Sequence, residues 1–306
     1  MSFLSLVAAL LLEQVRPLRH GNRIYLLFTR YANNLERQFN AGHYRHGIIA
    51  WLLAVVPVVA IVFAVQLFLS RISPPLAWLW NIAVLYLTMG FRQFSHYFTE
   101  IMRVLRDDDL TEARKYLGRW SGESVNELNA SEIARVAIEL GLVGSHKHVF
   151  GTVALFIVLG PAGAVLYRLA AMLNEKWGGR SDAEFGEFGR FAERLFYWLD
   201  WLPTRLTASS FAVVGNFEDA IYCWRTQARS WPALAQGIIL AAGAGALGVR
   251  LGDTLHQYGS VRYRPELGIG EAADVVYMHS TVGLIWRALV LWMFLLLLVT
   301  VAHSLG

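Results

Sequence analysis

Short groups of side chains in this sequence carry the means of chemistry. Ser145-His146-Lys147-His148 sets two imidazoles beside an ammonium, able to bind phosphate or, through His146 and His148, a metal. Histidines two positions apart on a helix point apart, so the competing role is a polar cap at a membrane interface. In Asn216-Phe-Glu218-Asp219, with Arg225 further on, the paired carboxylates Glu218 and Asp219 suit Mg²⁺. The same residues also spell a helix start, with acids at the positive end of the dipole and Arg225 at the distal end. Asp200-Trp-Leu-Pro-Thr-Arg205 poses a like choice, a ligand-binding pair or an ion pair that stabilises a turn. Gly243-Ala-Gly245-Ala-Leu-Gly248 matches a dinucleotide fingerprint in letters only, because neither a strand before it nor an acid in the right place after it completes the unit. Gly237, Ala241, Gly245, Gly248 and Gly252 instead fall at helical spacing on one face, suited to close approach of another helix or of a second copy of the chain. The single cysteine, Cys223, makes no intrachain disulfide and no zinc knuckle.

The elements that must position these groups belong to a lipid-solvated chain. Of 306 residues 56% are hydrophobic and 16% charged, at a mean hydropathy of +0.41, where a soluble domain carries about 25% charged residues. The expected fold is all-α, one polytopic membrane domain over residues 1–306 with a cytoplasmic helical insertion at 91–147. The net charge of +4 is read as loops held on the cytoplasmic side, not as a nucleic-acid surface. Residues 2–12 form an uncleaved first span or a re-entrant piece. Residues 47–70 hold no charge and are long enough to cross the hydrocarbon; Arg71-Ile-Ser-Pro-Pro75 then breaks the helix, and 76–90 returns as the second arm of a hairpin.

Arginines at 16, 19, 23, 30, 37 and 45 place the segment before the hairpin in the cytoplasm, and the hairpin returns 91–147 to the same side. Asp109-Leu-Thr-Glu112 and Asn129-Ala-Ser-Glu132 have the form of capping boxes. Residues 149–173 are apolar but interrupted by Gly160-Pro161, so they form either a kinked span or two half-helices returning to one face. Residues 206–214 are too short to cross unless their neighbours extend them. With the apolar runs at 237–249 and 284–303, the expectation is about five to seven embedded helices.

Four ordered stretches carry a family resemblance: DLTEARKYLGRW with ASEIARVAIE between 109 and 139, GPAGAVLYR at 160–168, LDWLPTRLTA at 199–208 and AGALGVRLG at 244–252. They resemble the membrane proteins grouped as CobD/CbiB and AmpE, with LDWLPTRL closer to AmpE and AGALGVRLG closer to CobD/CbiB. The resemblance implies a bacterial inner-membrane, multi-pass protein. For CobD/CbiB it implies adenosylcobinamide-phosphate synthase, which joins a cobyric acid side chain to an aminopropanol phosphate with ATP and Mg²⁺. For AmpE it implies a sensing role.

The chain departs from the synthase pattern where acids are expected. Val143-Gly-Ser-His-Lys-His148 replaces one acidic run, Asn174 closes the place of a Thr-Leu-Asp, and Arg194-Leu-Phe-Tyr197 replaces an Arg-Leu-Asp-Asp. Those departures lead to the expectation of a non-synthase binding or signalling role that forms no cobinamide phosphate, with the ATP- and Mg²⁺-dependent synthase as the alternative. The candidate ligand-binding residues are His146, Lys147, His148, Asn174, Asp200, Arg205, Asn216 and Arg225, with Glu218 and Asp219 for a metal; the expected partners are the bilayer and a small molecule.

Overall fold

The computed structural model describes residues 2–15, 23–180, 182, 185–257 and 260–305. Arg16 and Arg19 of the orientation argument lie outside the described residues. The chain divides into two compact units, each built from separated stretches: Met1–Gly90, Gly151–Pro203 and Val299–Gly306 in the first, Phe91–Phe150 and Thr204–Leu298 in the second. The described fold is almost wholly helical, as composition requires.

In the first unit, α1 (Ser2–Val15) packs on α4 (Pro74–Thr88), and α2 (Arg23–Phe39) on α3 (Tyr44–Ile72). The 29 residues of α3 span about 43 Å, more than the roughly 30 Å of hydrocarbon. Ser73, in extended conformation, separates α3 from α4, whose first residues are the prolines that cannot continue the preceding helix. The hairpin forms, but its second arm has 15 residues, about 22 Å, and falls short of a full crossing by itself.

The apolar run Ala130–Trp177 has 48 residues, yet it is not one rod. Within α8 (Gly151–Trp177), Gly160 sits at φ 65°, ψ −154°, a conformation that glycine alone adopts readily. Beyond it the chain doubles back: the Cβ position of Gly163 is filled by the Leu155 carbonyl, and that of Gly151 by the Tyr167 ring. A continuous helix would hold residues 151 and 167 about 24 Å apart. Of the two sequence alternatives, half-helices that return on each other is therefore the one formed. Residues 206–214 likewise find their extension, inside the 25-residue α9 (Arg190–Val214), where Pro203 is accommodated without ending the helix.

In the second unit, α5 (Phe91–Arg106), α6 (Leu110–Ser121) and α7 (Ala130–Ser145) pack on one another. Both predicted caps form. Asp109 accepts from the Glu112 amide at 3.0 Å, and at Asn129 both halves of the box close, at 2.9 and 2.8 Å. The second unit continues with α10 (Phe217–Gln227) and α11 (Leu234–Leu247).

The small-residue face of α11 serves this same chain: Ala228 fills the space beside Gly237, and the α10 backbone at Asp219 and Ala220 fills that beside Gly245. It does not continue to Gly252, because Gly248 turns left-handed at φ 68° and ends the helix. After it come four short strands, β1 (Val249–Arg250) parallel to β4 (Glu271–Ala272) and β2 (Leu255–Gln257) antiparallel to β3 (Ser260–Arg262). These strands are an addition to the expected fold. The 31-residue apolar α12 (Val275–Leu305) closes the chain. Among the described residues three helical runs reach membrane-spanning size by length and composition, and Phe3–Val15 and Leu234–Leu247 are shorter apolar helices.

Candidate functional site

The strongest polar construction in the second unit joins α7 to the irregular loop 249–272. Glu139 is buried and lies on the α7 face carried inward by Ile138 and Leu142. Its carboxylate receives Arg264 through both terminal nitrogens, at 2.6 and 3.1 Å, and accepts the Gly252 amide at 2.8 Å. Arg264 also donates to the Gly252 carbonyl at 2.9 Å, and its guanidinium lies 5.6 Å from the centre of the Trp231 ring. A planar fork of five donors meets one carboxylate and a backbone oxygen without leaving its plane.

One helical turn back, Arg135 pairs with Asp253 at 3.2 Å and donates to the Thr254 carbonyl. Asp253 is exposed and has a positive φ of 61°, uncommon outside glycine and a mark of a constrained position. The Thr254 amide, with Arg135 adding to it, holds the Asp253 carboxyl below its ordinary range, so it is an anion at neutral pH. Two of the family-like stretches, ASEIARVAIE and AGALGVRLG, are thereby brought together at Glu139 and Gly252.

His146 opens a π-helical turn, His146–Phe150, continuous with α7. It is buried, with Nδ1 2.9 Å from the Thr207 hydroxyl and Nε2 3.3 Å from the Thr204 hydroxyl. Whichever nitrogen carries the proton donates to one threonine and accepts from the other. The imidazole is enclosed between its own helix and α9. His148 points elsewhere and stacks on Phe94 at 6.4 Å between centroids, so the two histidines do not converge on one ligand. Lys147 between them is half-buried.

In the first unit, the Tyr167 hydroxyl donates to Asp200 at 2.8 Å, with both groups buried. This joins the other two family-like stretches, since Tyr167 lies on the returning arm of α8 and Asp200 on α9. The turn expected between Asp200 and Arg205 does not exist; both residues lie inside α9, and Arg205 is half-buried. Asn174 lies near the end of α8, its side-chain oxygen against Gly178.

Asn216 caps α10, accepting the Asp219 amide at 3.3 Å and donating to its carboxylate at 2.6 Å. Glu218 stands exposed in the first turn and Arg225 in the last, the arrangement of a helix start. Among the described residues no three His, Cys, Asp or Glu side chains gather where they could share a metal. The donors present do not fit a resident metal cage.

Matching along the whole length settles what these joined stretches belong to. The family described as CobD/Cbib protein matches residues 4–301. The chain belongs to the CobD/CbiB family. A cobalamin biosynthesis protein CobD of Stutzerimonas stutzeri is 36% identical over 299 residues, covering 96% of this chain and 97% of that protein. One of the same name from Chromobacterium violaceum is 35% identical, covering 79% and 72%, and one from Leptospira interrogans 26%, covering 87% and 85%. No solved structure matches the chain.

These CobD/CbiB relatives overturn the expectation of a non-synthase regulatory role, since a protein alike over nearly the full length and another alike over most of it carry the biosynthetic name. That expectation gave lost acids at three places more weight than end-to-end similarity. It also passed over Glu139, Arg135, Arg264 and Tyr167. Glu139 and Tyr167 sat inside quoted stretches, an acid and a phenol among apolar neighbours, and that was a signal. Arg264 lies in a segment with no periodicity to mark it.

Proposed function

We propose that this chain acts in cobalamin biosynthesis as an adenosylcobinamide-phosphate synthase, a multi-pass protein of the bacterial inner membrane. It joins a cobyric acid carboxyl to the amine of an aminopropanol phosphate. The observation that supports this reading is the 36% identity to a cobalamin biosynthesis protein that each chain covers almost completely.

A carboxylate does not form an amide directly, because its oxygen is a poor leaving group. ATP supplies the activation: the carboxylate oxygen takes the terminal phosphoryl group and ADP leaves. The amine nitrogen then attacks the acyl carbon, the C–O bond to phosphate breaks, and the ammonium proton passes to water. Magnesium enters on ATP as part of the substrate, a mode that asks for only one or two protein carboxylates.

Within the second unit we assign Arg135 to the anionic substrates and the exposed Asp253 to the magnesium carried on ATP, with Glu139 and Arg264 as positioning residues that fix their loop. The test is expression in a cobalamin auxotroph lacking its own CobD, with the Stutzerimonas stutzeri protein as control. Growth without cobalamin, together with ATP-dependent adenosylcobinamide phosphate from the purified chain, is expected. Neither growth nor product at membrane levels equal to the control's would overturn the reading.

A further inference from the structure

One face of α9 in the first unit is ordered along its length by chemical type. Arg190, Glu193 and Arg194 come first, a charged end with net positive charge, then Tyr197, Trp198 and Trp201, then Leu202, all of them exposed. The opposite face is buried, with Ala192, Phe196 and Asp200 turned to the unit's interior. Exposed tryptophans are costly in water and disfavoured deep in hydrocarbon, because the ring is large and apolar while the indole N–H needs a partner. The level that satisfies both is the boundary between lipid headgroups and acyl chains.

A second observation fixes the depth of this face independently. The start of α9 is seated on the start of α3: Phe191 meets the rings of Tyr44 at 6.1 Å and Trp51 at 5.7 Å, and the Phe188 carbonyl fills the space beside Gly47. The turn before α9 is bound to the same end, with Glu187 donating its amide to the Gly42 carbonyl at 2.9 Å. Glu36 gathers the Trp177 indole at 3.0 Å and Arg180 at 2.9 Å. This polar knot caps the end of α3 where the uncharged stretch 47–70 begins. Leaving the knot, α9 runs alongside the returning arm of α8 and carries Asp200 to the Tyr167 hydroxyl, about 15 Å along that arm from Trp177.

We propose that the Arg190–Leu202 face of α9 is a lipid-contact surface. It enters the bilayer from the membrane face on which Tyr44 lies, with Tyr197, Trp198 and Trp201 at the headgroup–acyl boundary. The partner is the bilayer, and the order of cationic, aromatic and aliphatic side chains matches its order of phosphate, ester and hydrocarbon. The surface also gives residues 185–189 a side: that of residues 40–44.

The full chain in a Cys223→Ser background, with Arg194→Cys, Trp198→Cys or Leu202→Cys spin-labelled in phosphatidylcholine–phosphatidylglycerol vesicles, tests this. Collision with a water-soluble nickel chelate relative to oxygen should fall roughly threefold or more over the about 12 Å from 194 to 202, with 198 between. If Trp198→Cys does not assemble, Tyr197→Cys on the same face gives the middle reading. A flat profile overturns the proposal: uniformly high chelate access places the face in water, and low access to both reagents places it under protein. A reversed gradient overturns it as well.

Discussion

Asp200 and Glu139 are both buried carboxylates on helices, one in each unit, and their partners differ in kind. Asp200 takes the hydroxyl of Tyr167, and the two elements that carry them, α9 and the returning arm of α8, have apolar packing of their own, down to the Tyr167 ring seated on Gly151. Glu139 takes a guanidinium and a backbone amide, and what it holds is a loop whose strands are only two or three residues long. Strands so short do not sustain themselves. Between helices a phenol does the joining; across strands too short to hold themselves, paired charges add to the burial of Val249, Leu251 and Leu267.

Removing the charge from the second arrangement should have the largest effect. Glu139→Leu leaves Arg264 enclosed without its counter-charge and should cost about 3–5 kcal/mol. Thermal unfolding in detergent should show it, and limited proteolysis should open residues 249–272 first. An unchanged midpoint would break the comparison. Tyr167→Phe deletes one donor to a buried carboxylate and should cost about 1–3 kcal/mol. Its proteolysis pattern at 249–272 should stay that of the parent chain, which sharpens the separation of the two clusters.

The smallest effect is acid sensitivity at Asp253. Its carboxyl is lowered in the folded chain by the Thr254 amide and by Arg135. The stability it contributes is therefore present above the ordinary carboxylate value of about 3.9 and is lost as pH falls through the lower folded value. Asp253→Asn should lower the unfolding midpoint near neutrality, by an amount kept small by solvent screening, and flatten its fall below about pH 4, the two chains converging in strong acid. A slope unaltered by the substitution would remove Asp253 from the network.

Local chemistry was the legible part of this sequence. Asn129 and Glu132 announced a cap because the two side chains reciprocate across fixed spacing, and Gly160-Pro161 announced a break because a positive φ and a missing amide cannot be hidden. The reversal at Gly160 was one of two open outcomes, decided by contacts between Gly151 and Tyr167 that no local pattern encodes. The glycine face was read one turn too far, since spacing alone does not show where Gly248 leaves the helix. Strands of two or three residues carry no alternation to read. Arg264 and Glu139 stand 125 positions apart, and only the fold makes them partners. Among the candidates chosen from sequence, Asp200 and His146 prove to be buried in hydrogen-bonded settings, whereas Glu218 and Asp219 mark the opening turn of a helix.

The interleaving of the two units bears on how a ribosome delivers them. The first ninety residues, Met1–Gly90, belong with Gly151–Pro203, and the intervening Phe91–Phe150 belongs with a stretch that begins at Thr204. At roughly 5–20 residues per second, the sixty residues between occupy about 3–12 s of synthesis. Throughout that interval the opening segment is without its later partners, and translation has passed Pro203 before the second unit receives its own. A gene divided after Gly90 would therefore yield one polypeptide with only part of the first unit and another with the whole of the second unit and the remainder of the first, whereas no single cut separates the two units.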